Sequence, residues 1–367
     1  MVALLRQTVK QSRIGLDLSA TAVRAVQLRR AGDRWLIADL VETRRQAAPA
    51  AEDAAATSQW ILECVERGAF KGRRVVASLC PPDIELHAIE LPNLATYPQD
   101  ELDDIIHWEI KRLASPALEE IETAHWPIPH GTGRAPNVIG IAAAQSTVSR
   151  LTTACQLAGF ECTRIDVHPA ALTRAGLHLH AFGPSDIWGV LELGARQSRL
   201  VLCLGETPVL ARSAGPGGQT WSKRIADEMK LSEDAAEVHK CDHGIAPSAR
   251  GVRQSGEGQA PSRELAAMLF AVLRPTLAKL VEEIERSYSY VLSCYPKGRA
   301  ADLILCGGGA CMAGLVEYLG KHLGIPVRRP GDYLKTPTCR LMVDGGGRVP
   351  LEHGLAAVGL ALEASAP

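Results

Sequence analysis

Ile14-Gly15-Leu16-Asp17-Leu18 is a short apolar run carrying one acid; the small-residue turn Ser19-Ala20-Thr21 and a second apolar run, Ala22 to Leu28, follow it. Far along the chain the pattern returns. Val190-Leu191-Glu192-Leu193-Gly194-Ala195 lies over Gly15 to Ala20, acid on acid and turn on turn, and Arg199 to Leu204 supplies the partner strand. A third strand completes each unit: Trp35 to Val41, after a Gly32-Asp33 hairpin turn, in the first, and Val209 to Ser213 in the second. A three-strand unit repeated in each half predicts duplicated α/β domains facing each other across a cleft.

Between the repeats the texture changes. A helix around Thr57 to Arg67 and a strand from Arg74 to Leu79 lead to Pro81-Pro82, which breaks the strand. Ile84 to Leu91 then alternates like an antiparallel strand, and Asp100 to Leu113 places Leu102, Ile105, Ile106, Ile110 and Leu113 on one helical face. With a strand at Val138 to Ala143 and a helix from Thr147 closed by Gly159, residues 82–160 read as an inserted α+β subdomain. Strand Cys162 to Val167 and helix Pro169 to Leu177 follow. In the second half, helices run from Thr220 to Lys230 and from Glu233 to Lys240, and the Gly-, Ser-, Pro- and Gln-rich residues 242–262 read as mobile. Pro275, suited to a first helical turn, is expected to open a long helix to Cys294 with Leu277, Leu280, Val281, Ile284, Val291 and Leu292 on its buried stripe. Strand Leu303 to Cys306 ends in Gly307-Gly308-Gly309-Ala310, and a last helix, Glu352 to Leu362, is small and apolar enough to pack tightly on a sheet.

Composition narrows the function classes. The 367 residues carry a formal net charge of -1, so no bulk basic field exists to hold nucleic acid or acidic lipid. No apolar run is long enough to insert in a membrane, and Met1 to Arg6 turns charged too early for a secretory signal. The 10 cysteines contain no Cys-x-x-Cys pair and read as reduced thiols of a cytoplasmic protein. His239-Lys240-Cys241-Asp242-His243 offers zinc donors at a spacing that matches no standard site, and a solvated segment is the simpler reading.

The chemistry concentrates in the two acid-bearing hairpins and the glycine loop. A turn of small residues lets backbone N–H groups face phosphate oxygens, and an acid on each facing strand can hold Mg²⁺ through its waters. A triple glycine lets backbone approach a ligand because no Cβ intervenes. Each piece alone is weak, since a lone strand acid is as often a satisfied structural carboxylate. The order and separation of all three are far more specific.

In that order they resemble the actin, DnaK-type chaperone and FtsA superfamily. Asp17 to Arg24 looks like its first phosphate hairpin, Glu192 to Arg199 like its second, Leu305 to Ala310 like its adenosine loop, and Pro169-Ala170-Ala171-Leu172 like its connecting helix. Finer matches point to the PilM family of type IV pilus assembly: the inserted helix with Glu109 and Pro116, Ala158-Gly159-Phe160, Ile165-Asp166-Val167, Gly215 to Gln219, Ala236 to Lys240, Glu283 to Ser287, and Met312-Ala313-Gly314-Leu315.

The resemblance implies an actin-like, ribonuclease H-like fold: a first core domain over 12–81 and 161–186, the insert at 82–160, a second core domain over 187–347, and a C-terminal helix, 348–364, packed on the first. It implies an ATP and Mg site. Ser19, Ala20 and Thr21, with Gly194, Ala195 and Gln197, would cradle phosphates, Gly217 and Gly218 would join them in binding the cofactor, and Asp17 and Glu192 would meet the metal through water. Glu237 and Lys240 would reach ribose and base, which Gly307, Gly308, Gly309, Ala310 and Met312 would flank. His168 and Glu192 are the candidate catalytic pair. Three departures weigh against hydrolysis more than against binding, because catalysis needs tighter placement. Ser19-Ala20 stands where Gly-Ser or Gly-Thr is usual, Glu192 is one methylene longer than the usual Asp, and His168 occupies the place of an acid or amide.

The functional expectation is a cytoplasmic scaffold, peripheral at the inner membrane. The resemblance implies that it takes up the N-terminal cytoplasmic tail of an inner-membrane partner such as PilN, in a groove beside the insert. It implies no nucleic-acid partner and leaves a homodimer open. Two alternatives keep the fold: an active ATPase or small-molecule kinase, for which Asp166 is the nearest candidate base, and an FtsA-like filament protein.

Overall fold

The computed structural model describes residues 11–44, 53–91, 98–115, 118, 120–133, 135–245, 263–343 and 349–363. The first core is laid down by β1 (Ile14–Leu18), β2 (Ala22–Ala31), β3 (Arg34–Arg44), α1 (Ala54–Glu66) and β4 (Arg74–Leu79). An excursion follows through β5 (Ile84–Ile89), α2 (Gln99–Leu113), β6 (Ile121–Pro127) and β7 (Val138–Ala144). The chain then returns through α3 (Gln145–Leu157), β8 (Glu161–Val167) and α4 (His168–Leu179). The second core comprises β9 (Asp186–Leu193), β10 (Gln197–Leu204), β11 (Thr207–Pro216), α5 (Gly218–Met229), α6 (Glu233–His243), α7 (Arg263–Cys294), β12 (Arg299–Cys306), α8 (Leu315–Leu323), β13 (Val327–Arg328) and α9 (Pro330–Tyr333). The chain closes with β14 (Leu341–Val343) and α10 (Leu351–Glu363).

The duplication is explicit in the strand order. The first sheet runs β14-β3-β2-β1-β4-β8 and the second β11-β10-β9-β12-β13. In both, the first three strands of the unit form antiparallel hairpins, and the first strand also pairs in parallel with the strand that follows a helical crossover. The sheet β5-β7-β6 of the excursion is antiparallel. Its strand β7 faces three ways. Val138 and Ala142 pack under α2 with Ile106 and Ile110, Ile141 and Ala143 join the first core, and Ile139 joins the second. Helix α3, by contrast, buries Leu151, Ala154 and Cys155 in the first core beside Ile61 and Cys64 of α1.

Local chemistry explains the helix starts. The Asp53 carboxylate accepts the N–H groups of Ala55 and Ala56 and caps α1, and Ser232 caps α6 through the N–H of Ala235. Two expectations need correction. Helix α7 begins at Arg263, so Pro275 lies inside it and not in its first turn. The buried run Leu269, Leu273, Leu277, Leu280 and Ile284 continues across the proline and outweighs the roughly 3 kcal/mol that an interior proline costs. Leu113, at the end of α2, is largely exposed, whereas Ile106 and Ile110 are buried as their spacing predicts. Helix α6 also runs three residues past Lys240, to His243. Residues 246–262, most of the segment read as mobile, lie outside the described residues, as does Pro116.

Helix α10 sits against β1, β2 and α4 at backbone contact distance. A Cβ on Gly15 would lie 2.1 Å from the Ala357 carbonyl oxygen, and one on Gly359 would lie 1.9 Å from that of Ala171. The small apolar residues of this helix are what let it come so close. At its other end the Glu352 carbonyl accepts the Gly307 N–H at 2.8 Å. The helix therefore joins the glycine loop of the second core to the sheet of the first.

Candidate functional site

The antiparallel register of β1 and β2 sets Asp17 opposite Arg24, and that of β2 and β3 sets Arg24 opposite Glu42. Paired residues share a face of the sheet, so the three charged groups form a row. Arg24 Nη1 donates to Asp17 Oδ2 at 3.0 Å and its Nε to Glu42 Oε2 at 2.8 Å. The second hairpin repeats the arrangement: Glu192 lies opposite Arg199, whose Nη1 donates to Glu192 Oε2 at 2.9 Å. Arg199 is pinned further by the Pro81 carbonyl at 3.0 Å and the Cys80 sulfur at 3.5 Å, both on the first core's side of the cleft.

His168 stands between the two acids. As the first residue of α4 it emerges where β8 ends, and it is buried. Its Nε2 lies 3.8 Å from Asp17 Oδ1 and 3.4 Å from Glu192 Oε1. Asp17 and Glu192 therefore face one another across one imidazole, as the duplicated hairpins imply.

Both turns are braced from within. The Ser19 hydroxyl donates to the Ala22 carbonyl at 3.0 Å and accepts the Ala22 N–H at 3.1 Å, while the Ser19 N–H also reaches that carbonyl at 2.9 Å. No backbone acceptor among the described residues takes the N–H of Ala20 or Thr21. In the second turn Gly194 N–H donates to the Gln197 carbonyl at 3.2 Å. The N–H groups of Gly217, Gly218 and Gln219 donate to the carbonyls of Arg196, Gly194 and Ala195 at 2.8–2.9 Å. A Cβ on Gly217 would lie 2.4 Å from the Gly194 carbonyl oxygen, so glycine is needed there to seat α5 on the turn. Gly217 and Gly218 thus support the cradle through their own amides.

Beside the second turn, Gly307 adopts φ +85°, and its Cβ position would fall 2.6 Å from the Leu193 carbonyl oxygen. The glycine loop is folded onto the end of β9 and continues into a short 3₁₀ turn, Gly308–Cys311, in which Ala310 is buried. Nearby, the buried Lys240 ammonium donates to the Gly218 carbonyl at 2.9 Å, Ser222 Oγ at 2.8 Å and Glu237 Oε2 at 2.5 Å. The Ser222 hydroxyl also binds that carboxylate oxygen. A third link closes the rim: His353 Nδ1 meets Glu42 Oε2 at 3.2 Å, and its Nε2 lies 3.6 Å from the Cys311 sulfur.

These groups surround a cavity of about 400 Å³. Of the residues singled out in the sequence, Ser19, Ala20, Thr21, Glu192, Gly194, Ala195, Gln197, Gly218, Glu237, Lys240, Gly307, Gly308, Gly309 and Met312 line it. Asp17, His168, Gly217 and Ala310 stand behind the lining. Sequence reading assigned no role to Arg24, Glu42, Arg199 or His353, which the structure places at the cavity wall. The equal spacing of Asp17 to Arg24 and Glu192 to Arg199 was the available signal for two of them; nothing local marks Glu42 or His353.

Burial opposes ionisation throughout, and the paired charges overcome it. For Arg24, burial is offset by Asp17 and Glu42, and for Arg199 by Glu192; both guanidinium pKa values end above the ordinary value. Glu192 is held below the usual carboxylate range, against burial, by His168 and Arg199. Glu42 is lowered to about 2, against burial, by the His353 hydrogen bond and the Arg24 charge. His353 is raised to about 9 by the Cys311 and Glu42 contacts. Glu237 is lowered, against burial, by Lys240 and Ser222.

The donor set does not fit a magnesium ion held through water by Asp17 and Glu192. Outer-sphere binding needs carboxylate lone pairs to accept from metal-bound waters. Here one oxygen of each acid accepts a guanidinium, and the other faces the His168 ring.

The paired sheets of equivalent order, the hairpin turns and the glycine loop around one cleft define an actin-like protein of the ATPase-fold class. Its solved likenesses agree. The PilM-PilN type IV pilus biogenesis complex superposes with TM-score 0.75 at 23% identity, over 97% of this chain and 99% of that one. The ethanolamine utilization protein EutJ from Carboxydothermus hydrogenoformans gives 0.52 at 14% identity, over 98% and 93%. MreB5 of Spiroplasma citri bound to ADP gives 0.50 at 12%, over 96% and 95%. Among curated proteins none matches. The model of the type IV pilus assembly protein PilM family matches residues 15–250, and the chain belongs to that family.

Proposed function

We propose that this protein is a nucleotide-binding scaffold of type IV pilus assembly that hydrolyses ATP slowly or not at all and acts by holding a partner. The observation that carries the reading is the pair of arginine-locked acids: a hydrolytic site needs a carboxylate or amide placed to orient water, whereas one oxygen of Asp17 and one of Glu192 accept a guanidinium and the other of each lies within 4 Å of the His168 ring. The kinase alternative fares no better. Asp166 accepts the Val167 N–H at 2.7 Å and Arg174 Nη2 at 2.9 Å, and it does not line the cavity.

The partner is the N-terminal cytoplasmic tail of an inner-membrane protein of the PilN kind, the protein named with PilM in the complex that superposes on this chain. Among the described residues no helix is long and apolar enough to cross a membrane, which suits attachment through a partner. The sheet β5-β7-β6 supports an extended peptide, since β5 and β6 are edge strands, each paired on one side only within the sheet. Trp108 on the adjoining α2 is 65% exposed and supplies an aromatic anchor.

Titrating synthetic tail peptides of inner-membrane pilus proteins against the full chain tests the partner. Binding that weakens about tenfold with Trp108→Ala supports the groove, and binding indifferent to that change removes it. A phosphate-release assay tests the rest: turnover of about one per second or faster would show an active ATPase.

A further inference from the structure

We propose that this cleft takes the polyphosphate of a nucleotide without a divalent cation, Arg24 and Arg199 standing where a hydrated metal would otherwise neutralise the charge. The inference rests on the nucleotide reading above and sharpens it. It starts from register: in each hairpin the acid is opposite an arginine, so the acid is met by a cation of its own sheet before any ligand arrives.

Both guanidinium groups are fixed from behind. Arg24 is held at Nη1 by Asp17 and at Nε by Glu42, and Arg199 at Nη1 by Glu192 and at Nη2 by the Pro81 carbonyl. Glu42 is itself tied to His353 and, at 3.4 Å, to Arg44. Groups pinned in this way do not swing aside to admit a dication.

The same groups suit a phosphate chain. A guanidinium carries five N–H donors, and each of these two has donors beyond its internal bonds. The Nε of Arg199 is buried and has no partner among the described residues. Arg24 and Arg199 both line the cavity beside the turns at 19–21 and 194–197, and Arg44 and Arg196 also belong to its lining. Arginine recognises phosphate bidentately and stays charged at any working pH. The acids then serve to hold the arginines, not a metal.

The test is equilibrium binding of ADP and ATP to the full chain, by calorimetry, in excess EDTA and in excess magnesium chloride. Dissociation constants that agree within about threefold support metal-free binding. Affinity about tenfold or more tighter with magnesium overturns it and leaves the nucleotide reading standing. Absence of binding in both buffers overturns the nucleotide reading and this inference with it. Arg199→Gln keeps a donor and removes the charge. Its affinity in EDTA should fall about tenfold while magnesium restores part of the loss, with the urea midpoint confirming the fold. An Arg199→Gln protein that is folded and binds as well as the parent in EDTA refutes the assignment.

Discussion

Replacing His353 with glutamine should remove a pH-dependent tie between the glycine loop and the first sheet. His353 is raised to about 9 from its ordinary value of 6.5 by its contacts with Cys311 and Glu42. At 1.36 kcal/mol per pH unit this is worth about 3 kcal/mol. The side chains of His353 and Glu42 are only 13% and 11% exposed, so solvent screening leaves most of it, about 2–3 kcal/mol. The lowered pKa of Glu42 describes the same contact from the other side and is not added. The signs follow from linkage. The histidine contribution is complete below 6.5 and is lost as pH rises through about 9, whereas the Glu42 contribution is present above 4.5 and is lost as pH falls through about 2. The parent should therefore exceed His353→Gln by about 2–3 kcal/mol near pH 6, and by little near pH 10. Urea unfolding of both proteins across that range gives the difference directly. A gap that stays constant with pH, or widens on the alkaline side, would refute the assignment of a charged His353.

Three other outcomes are expected. Arg24→Leu leaves Asp17 buried without its guanidinium partner and should cost about 3–5 kcal/mol in urea unfolding, more than the loss of any surface arginine. Gly359→Ala pushes a methyl into the Ala171 carbonyl and should cost about 3 kcal/mol, whereas Gly308→Ala, whose Cβ position meets open space, should leave stability within about 1 kcal/mol. Lys240→Met unties Gly218, Ser222 and Glu237 together, and should weaken nucleotide binding about tenfold in the same calorimetry that measures the parent.

The duplicated hairpins were legible because strand, small-residue turn and strand carry a local signature, and because an acid at the same place in each allowed them to be laid over one another. The cavity lining was legible for the same reason: its turns are short stretches of sequence. What escaped reading was long-range or marginal. Glu42 and His353 are 311 residues apart in sequence and meet only because α10 crosses back to the first sheet. Strand β6 buries only a half-covered face of mixed residues, Ile121, Thr123 and His125, so its sequence offers no clear apolar alternation, and β14 is too short to show one. The charge spacing of the hairpins could be read, but its meaning depends on a register that only the fold fixes. Pro275 misled because a local rule for proline competes with an apolar stripe running over several turns, and the stripe prevails.

Strand β7 has a consequence for how the molecule comes apart. Three regions can be named along the chain, yet one seven-residue strand contributes side chains to the interior of all three. The excursion is also stitched to the second core by the Trp126 indole on the Pro208 carbonyl, at 2.8 Å, and by the Tyr295 hydroxyl on the Pro129 carbonyl, at 2.8 Å. Pulling β7 out would open a void in each interior at once. The excursion is consequently not an independent module: excising it would open voids in both neighbours, and its unfolding should be coupled to theirs.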